Sequence, residues 1–284
     1  MTVREFSENL TMELFILSKP LQILNILNYT NNFKHTTKAT IFIKRKSFYK
    51  SEIILKRLNE QFTYDLRFIL IDSYFEVLRF SFIWKRIIRL YIDSDVGLKL
   101  RFLISVINAD QTCIIEEGLG LYIKVKYNRL IKTRIGSFYK TKKIIAYHPE
   151  NLDHTLKHKA IRIDQSLQDY IENNFTLLTQ LFENKEFDRR IEISKDFAVY
   201  LTNWYFDPSK LDKYNHTNIV VRKHPGLKNN LSESIVCLDK YLVGELDILW
   251  ISKRFKDQTI LVLHHNSSLV HYIDKPNLKF VKIE

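Results

Sequence analysis

Five apolar runs constrain the fold of this chain more than any other feature: MELFILS (12–18), ATIFI (39–43), LRFILI (66–71), TCIIE (112–116) and KIIAY (143–147). Each has the length of a strand and little polar alternation, the pattern of strands buried on both faces. Helical candidates lie between them at 20–29, 48–60 and 74–91, while 95–108 fits neither pattern cleanly. Strands of this kind separated by helices predict a parallel sheet. A helix at 165–183 follows, and the alternation then resumes: strands at 196–201, 218–224, 234–238 and 259–265, with a short helix at 243–252. The expected class is α/β, with two doubly wound Rossmann-like halves, 1–150 and 151–284, facing a cleft. Ligands in such folds bind beyond the C-terminal ends of the strands.

Charge divides unevenly between the halves. Residues 1–150 hold 25 Lys+Arg against 14 Asp+Glu, and the remainder holds 19 against 18. A local excess of +11 predicts a polyanionic partner for the first half: nucleic acid, an anionic membrane surface or a phosphate-bearing glycolipid. Cys113 and Cys237 each sit in an apolar run and read as small buried hydrophobes in a reducing compartment; neither a disulfide framework nor a zinc spacing can be made from them. No basic n-region or cleavage site frames the apolar stretch at 12–29, and no window of ~18 residues is free of charge. A cytoplasmic protein is expected, with peripheral membrane contact as an option.

Three polar constellations fall at predicted strand ends. Glu116 and Glu117, in IIEEGLGLY (114–122), end one strand and precede Gly118 and Gly120. They are either a catalytic base with its neighbour or the solvated acids of a turn. Lys223, His224, Pro225 and Gly226 end a second strand. His224 has the chemistry to protonate or hold a leaving phosphate, with Arg222 and Lys223 adding positive potential; a histidine in a basic surface turn is the other option. Ser267 and Ser268 follow a third strand and would open a helix whose free N–H groups and dipole favour an anion, unless Asn266 or Ser267 is simply an N-cap. Glu245 begins a helix, where a carboxylate either accepts from ribose hydroxyls or complements the helix dipole. The 73–92 segment, with Trp84, Arg79, Lys85, Arg86 and Arg89, reads as a core helix with a basic outer face, or as an interfacial helix. His264 and His265 are adjacent on a strand and cannot share a face, which argues against a two-histidine metal site.

In this order the pieces resemble bacterial sialyltransferases of the two-domain GT-B type, nearest to the lipooligosaccharide sialyltransferases of glycosyltransferase family 52 and related to capsule polysialyltransferases. The resemblance lies in the acidic pair before glycine (Glu116, Glu117, Gly118), the His-Pro pair (His224, Pro225), the Ser-Ser pair (Ser267, Ser268) and the opening LFILSKPLQILN, which matches a strand followed by Ser-x-Pro-Leu-Gln. Here the acidic pair is Glu-Glu where Asp is frequent. The resemblance implies an inverting transferase with an acceptor-binding first half, where Ser18, Gln22 and Gly118 would lie on the acceptor side, and a donor-binding second half. Lys223, His224, Pro225, Gly226, Glu245, Ser267 and Ser268 would hold the nucleotide. It further implies CMP-sialic acid as donor, a glycan or glycolipid acceptor such as lipooligosaccharide or capsule, no cofactor, no metal and no nucleic-acid partner. Glu116 is the expected base, with Glu117 as support or rival. The alternatives are a transferase using CMP-Kdo and a basic protein that binds nucleic acid or anionic membrane without catalysis.

Overall fold

A computed structural model describes residues 12–32, 39–45, 51–62, 66–81, 86–126, 132–185, 187, 196–202, 207–214, 218–224, 227 and 235–283. The chain forms two compact units, Met1–Tyr170 and Ile171–Glu284. The division therefore falls at 170 and not at 150. A short strand, β9 (Ala160–Arg162), pairs with β8 (Thr141–Ala146) and keeps the intervening residues in the first unit.

Among the described residues of the first unit, seven strands form a parallel sheet. In chain order they are β1 (Met12–Leu17), β2 (Ala39–Lys44), β3 (Leu66–Ile71), β4 (Ile87–Ile92), β5 (Gln111–Ile115), β8 and β9, in the spatial order β3-β2-β1-β4-β5-β8-β9. An antiparallel pair, β6 (Lys124–Lys126) and β7 (Lys132–Arg134), lies outside it. The core comes from the strands read as continuous apolar runs: Leu14, Phe42, Ile71, Leu90, Ile114 and Ile144 are fully buried. Helix α1 (Pro20–Asn32) starts with proline at its first position, where a missing N–H costs nothing. The Gln22 side-chain oxygen accepts from the backbone N–H groups of Ser18 and Lys19 at 2.7 and 2.8 Å.

The stretch 74–91 is not one helix. Helix α3 (Tyr74–Ser81) ends before β4, and the region that fitted neither pattern is helix α4 (Leu98–Ile107). Helical and strand spacing cannot be told apart in so apolar a run, and IIRLYI is a both-face-buried strand. Arg89 therefore lies on no helix face; on β4 it pairs with the buried Glu13 at 2.7 Å. Trp84 and Lys85 lie outside the described residues.

The second unit holds, among its described residues, a four-stranded parallel sheet of β10 (Phe197–Leu201), β11 (Asn218–Arg222), β12 (Ile260–His264) and β13 (Leu278–Lys282), in the order β11-β10-β12-β13. The helix expected at 165–183 breaks at Asn174 into α5 (Leu167–Asn173) and α6 (Phe175–Phe182). Helix α7 (Gly244–Arg254) precedes β12, and the Asn277 amide donates to the carbonyls of Ser252 and Phe255 at its C-terminal end. Of the strand expected at 234–238, Ser234 lies outside the described residues, and Cys237 makes one isolated parallel bridge to Val221. Cys113 is buried as expected, whereas Cys237 is half-buried.

Candidate active site

In a doubly wound sheet the binding crevice opens where consecutive strands depart in opposite directions from a central pair. In the first unit β1 leads outward to β2 and β3, while β4 leads the other way to β5 and β8, so the switch lies between β1 and β4. At the C-terminal ends of these strands stand Ser18, Lys19 and Asp93, and Glu117 follows the neighbouring β5. The Ser18 hydroxyl donates to an Asp93 carboxylate oxygen. Lys19 Nζ pairs with Glu117 Oε2 at 2.8 Å. The SKPLQ stretch is thus a unit: two residues contribute side chains to the edge, proline starts α1, and glutamine ties down the two amides before it.

The two glutamates diverge, as adjacent side chains beyond a strand must. Glu116 is fully buried. One of its carboxylate oxygens accepts from the Tyr122 hydroxyl at 2.5 Å and from the Tyr147 backbone N–H at 2.7 Å. Its carbonyl accepts from the Asn25 amide at 2.6 Å, and Asn25 and Asn28 of α1 both bond the Tyr147 hydroxyl at 3.2 Å. Glu116 is a strut between α1 and the strands. In this structure the carboxylate of the expected base is buried and engaged by Tyr122 and Tyr147. Glu117 is the accessible one: its side chain is 15 % exposed, beside a Lys19 side chain that is 53 % exposed. Burial raises its carboxyl above the usual carboxylate range; the Lys19 ammonium pulls it back and the Asp93 charge raises it further. Tyr74 at the start of α3 feels the same two carboxylates, and burial first and then their charge push its hydroxyl up to about 12.

The glycines of EEGLG serve this divergence. Gly118 sits at φ 124°, which a side chain would strain. A Cβ on Gly120 would lie 2.9 Å from Glu117 Oε1, so the missing side chain is the space the carboxylate occupies.

In the second unit the switch lies between β10 and β12. Thr202 follows β10 and its hydroxyl accepts from the His224 backbone N–H at 2.7 Å, which fixes the turn after β11. Arg222 points inward: its Nε lies 2.7 Å from Asp247 Oδ2, and its other nitrogens donate to the carbonyls of Lys223 and Tyr241. Asp247 is fully buried, and burial pushes its carboxyl up against the pull of Arg222. Glu245 is buried in the first turn of α7, with the same opposition of burial and Arg222. Arg222 is thus committed to the interior and adds no open charge beside His224. Pro225 and Gly226 lie outside the described residues.

The serine pair opens no regular α-helix. Residues Ser268–His271 form one 3-10 turn, too short to sum a helix dipole, and Ser267 is its N-cap, accepting from the Leu269 N–H at 3.3 Å. The N-cap option is the one observed, although a hydroxyl that accepts keeps its own proton free to donate. Asn266 before it adopts the left-handed conformation at φ 52°. His264 and His265 diverge as adjacent strand residues should: His264 Nδ1 faces the Ser267 N–H at 3.4 Å, and His265 Nε2 is 2.8 Å from the Tyr200 hydroxyl.

Two groups at these edges went unread in the sequence. Asp93 comes just after the supposed helix at 74–91, and IIRLYID ends in an acid just as TCIIEE does. Thr202 ends DFAVYLT in the same manner.

No family model matches the chain, and no curated protein matches it in sequence. Solved structures do match in fold. A UDP-GlcNAc 2-epimerase of Methanocaldococcus jannaschii, in complex with UDP-GlcNAc and UDP, is similar with a TM-score of 0.53 at 13% identity, over 92% of this chain and 80% of that one. Another structure of that organism's UDP-GlcNAc 2-epimerase gives a TM-score of 0.53 at 11% identity, over 96% and 89%. The fold is of the GT-B type, built from two Rossmann-like units.

Proposed function

We propose that the protein is an inverting, metal-independent glycosyltransferase that moves sialic acid, or a related nonulosonic acid, from a CMP-activated donor to a cell-surface glycan such as lipooligosaccharide or capsule. The observation that carries this is Glu117: a partly accessible carboxylate of raised proton affinity, held at the first unit's switch point by a lysine and neighboured by a second acid. An acceptor hydroxyl is too weak an acid to attack unaided, and a carboxylate within hydrogen-bond reach removes its proton. The oxygen then bonds to the anomeric carbon of the donor as the bond from that carbon to the phosphate oxygen breaks. CMP leaves with the electron pair, and the proton stays on Glu117. Displacement in one step inverts the anomeric centre.

The second unit is assigned to the donor. His224, set by Thr202, and the hydroxyl protons of Ser267 and Ser268 would meet the charge that gathers on the leaving phosphate. Support for a sugar-nucleotide substrate comes from the fold match to an enzyme solved with UDP-GlcNAc and UDP. Lys223 and Glu245 complete the assigned nucleotide groups, and Ser18, Gln22 and Gly118 the acceptor side.

The test is a donor screen with CMP-Neu5Ac, other CMP-nonulosonates, CMP-Kdo and UDP-sugars, together with melting curves in CMP and UDP. Transfer from a CMP-nonulosonate and a CMP-dependent rise in melting temperature are expected. Turnover of UDP-GlcNAc alone would move the assignment to sugar-nucleotide epimerisation. Tight, salt-sensitive DNA binding without any nucleotide response would overturn it altogether.

A further inference from the structure

Helix α4 is apolar on two opposite faces. Leu103, Ile104 and Ile107 are buried in the first unit's core, with Leu100 packed against it. Leu98, Phe102 and Val106, spaced four residues apart, lie on the other side and are 76 %, 59 % and 36 % exposed. A helix that is apolar all round belongs inside a protein or against another apolar phase. Exposed apolar side chains grouped on one helix face mark a candidate interaction surface. Phe75, in the first turn of the neighbouring helix α3, is 72 % exposed as well.

The charges that α4 itself carries are of one sign. Helix α4 carries Lys99 and Arg101 and no acidic residue. At 3.6 residues per turn, Lys99 lies on one flank of the stripe, and Ser105 and Arg101 lie on the other. Lys140 reaches that second flank, its Nζ 3.5 Å from the Ser105 carbonyl, and Arg101 lies over the Phe138 ring at 5.0 Å. Exposed Tyr139 lies in the same turn, and Lys142, at the start of β8, donates from Nζ to the Tyr139 carbonyl at 3.5 Å. An apolar stripe bordered on both sides by cations, with an aromatic hydroxyl at its margin, has the make-up of a surface that seats in an anionic lipid interface. Among the described residues no helix is long and apolar enough to cross a membrane.

We infer that the outer face of α4, with Leu98, Phe102 and Val106 as the inserted groups and Lys99, Arg101 and Lys140 as the headgroup contacts, docks the first unit on an anionic phospholipid bilayer. This surface is independent of the transferase chemistry and would serve any acceptor held at a membrane. The experiment is co-sedimentation of the full chain with phosphatidylglycerol vesicles and with phosphatidylcholine vesicles, across a salt series. Wild type is expected on the anionic vesicles, with partition falling as salt rises. The triple variant Leu98→Ser, Phe102→Ser, Val106→Ser is expected to lose about tenfold or more in partition with its melting temperature essentially unchanged, because the replaced groups are exposed. Lys99→Gln with Lys140→Gln should weaken binding to phosphatidylglycerol and flatten the salt dependence. Equal partition of wild type and triple variant overturns the proposal. So does wild type that ignores both vesicles, or a triple variant whose only change is from dimer to monomer, which would make the occupant a second copy of this chain.

Discussion

The C-terminal edges of the two sheets are built to opposite electrostatic plans. In the first unit charges stand at the switch point: Lys19 and the partly exposed Glu117 share the edge with the buried Asp93, and Ser18 is bonded to one acid and Lys19 to the other. In the second unit the strongest charges are withdrawn, since Arg222 and Asp247 neutralise each other beneath α7. The groups left near the edge are the Lys223 ammonium, hydroxyls, imidazoles and main-chain donors. An edge of the first kind can take up a proton, because its carboxylate has a perturbed affinity and access to solvent. An edge of the second kind offers hydrogen-bond donors to an anion. The same strand–helix grammar thus gives two chemistries, depending on which charges are buried.

Arg222→Met would break this contrast most severely. It leaves Asp247 buried without its counter-charge and should cost about 3–5 kcal/mol in urea unfolding. The sign with pH follows from the carboxyl, which burial raises and Arg222 no longer lowers. The unfolded state then ionises Asp247 at lower pH than the folded state, so the loss should be largest above the folded pKa and should ease as pH falls toward the ordinary carboxylate range.

Next in size is Glu117→Gln, which should lower transferase turnover by ~10²-fold or more while the protein stays folded and binds CMP. Glu116→Gln supplies the opposite outcome: a lowered melting temperature from the disturbed Tyr122 and Tyr147 bonds, with turnover of the folded fraction near wild type. If Glu116→Gln is the dead variant and Glu117→Gln is active, the first edge has been read backwards.

A smaller effect is expected from Ser267→Ala with Ser268→Ala, a loss of roughly 1–3 kcal/mol in CMP binding by calorimetry. Unchanged CMP affinity would remove the serines from the donor side. The finest comparison lies within the first edge. Lys19→Met removes the cation that pulls the Glu117 carboxyl down, so the acidic limb of the pH–rate profile should move to higher pH. Asp93→Asn removes a charge that pushes it up and should move the limb to lower pH. A carboxyl resonance of Glu117, followed by carbon NMR, should shift its midpoint in the same two directions whether or not turnover is detected.

Much of this was legible in the sequence where a segment has one physical solution. The runs MELFILS, ATIFI and LRFILI are short and apolar enough to be strands, and the structure places strands at 12–17, 39–44 and 66–71; the first two are buried, while LRFILI, at the sheet edge, buries only Phe68 and Ile71. Legibility failed where two solutions share a pattern. Tyr74 to Tyr91 reads as a helix because apolar residues fall at helical spacing throughout, yet the sheet required a strand beside β1 and took IIRLYI for it. With that strand went Asp93, half of the carboxylate pair at the edge. The Glu116–Glu117 ambiguity was of another sort: alternation shows that the two diverge but not which way, and only the partners on α1 and β8 decide it. The length of the turn after the serines was not legible, because a cap residue signals that a turn begins, not how long it continues.

The central position of β1 has a consequence for how the protein is made. β1 leaves the ribosome first but must be flanked by β2 on one side and β4 on the other. Ser18 and Asp93, which meet at that junction, are 75 residues apart in sequence. Until β4 has emerged, the nascent chain presents β1 with apolar side chains and one edge of unpaired backbone groups, in the company of β2 and β3, and closure across the junction bears the entropy of a long loop. Chaperone engagement and aggregation during synthesis should therefore concentrate on nascent chains stalled before residue 92, and the crevice between β1 and β4 should be among the late features of the first unit to form.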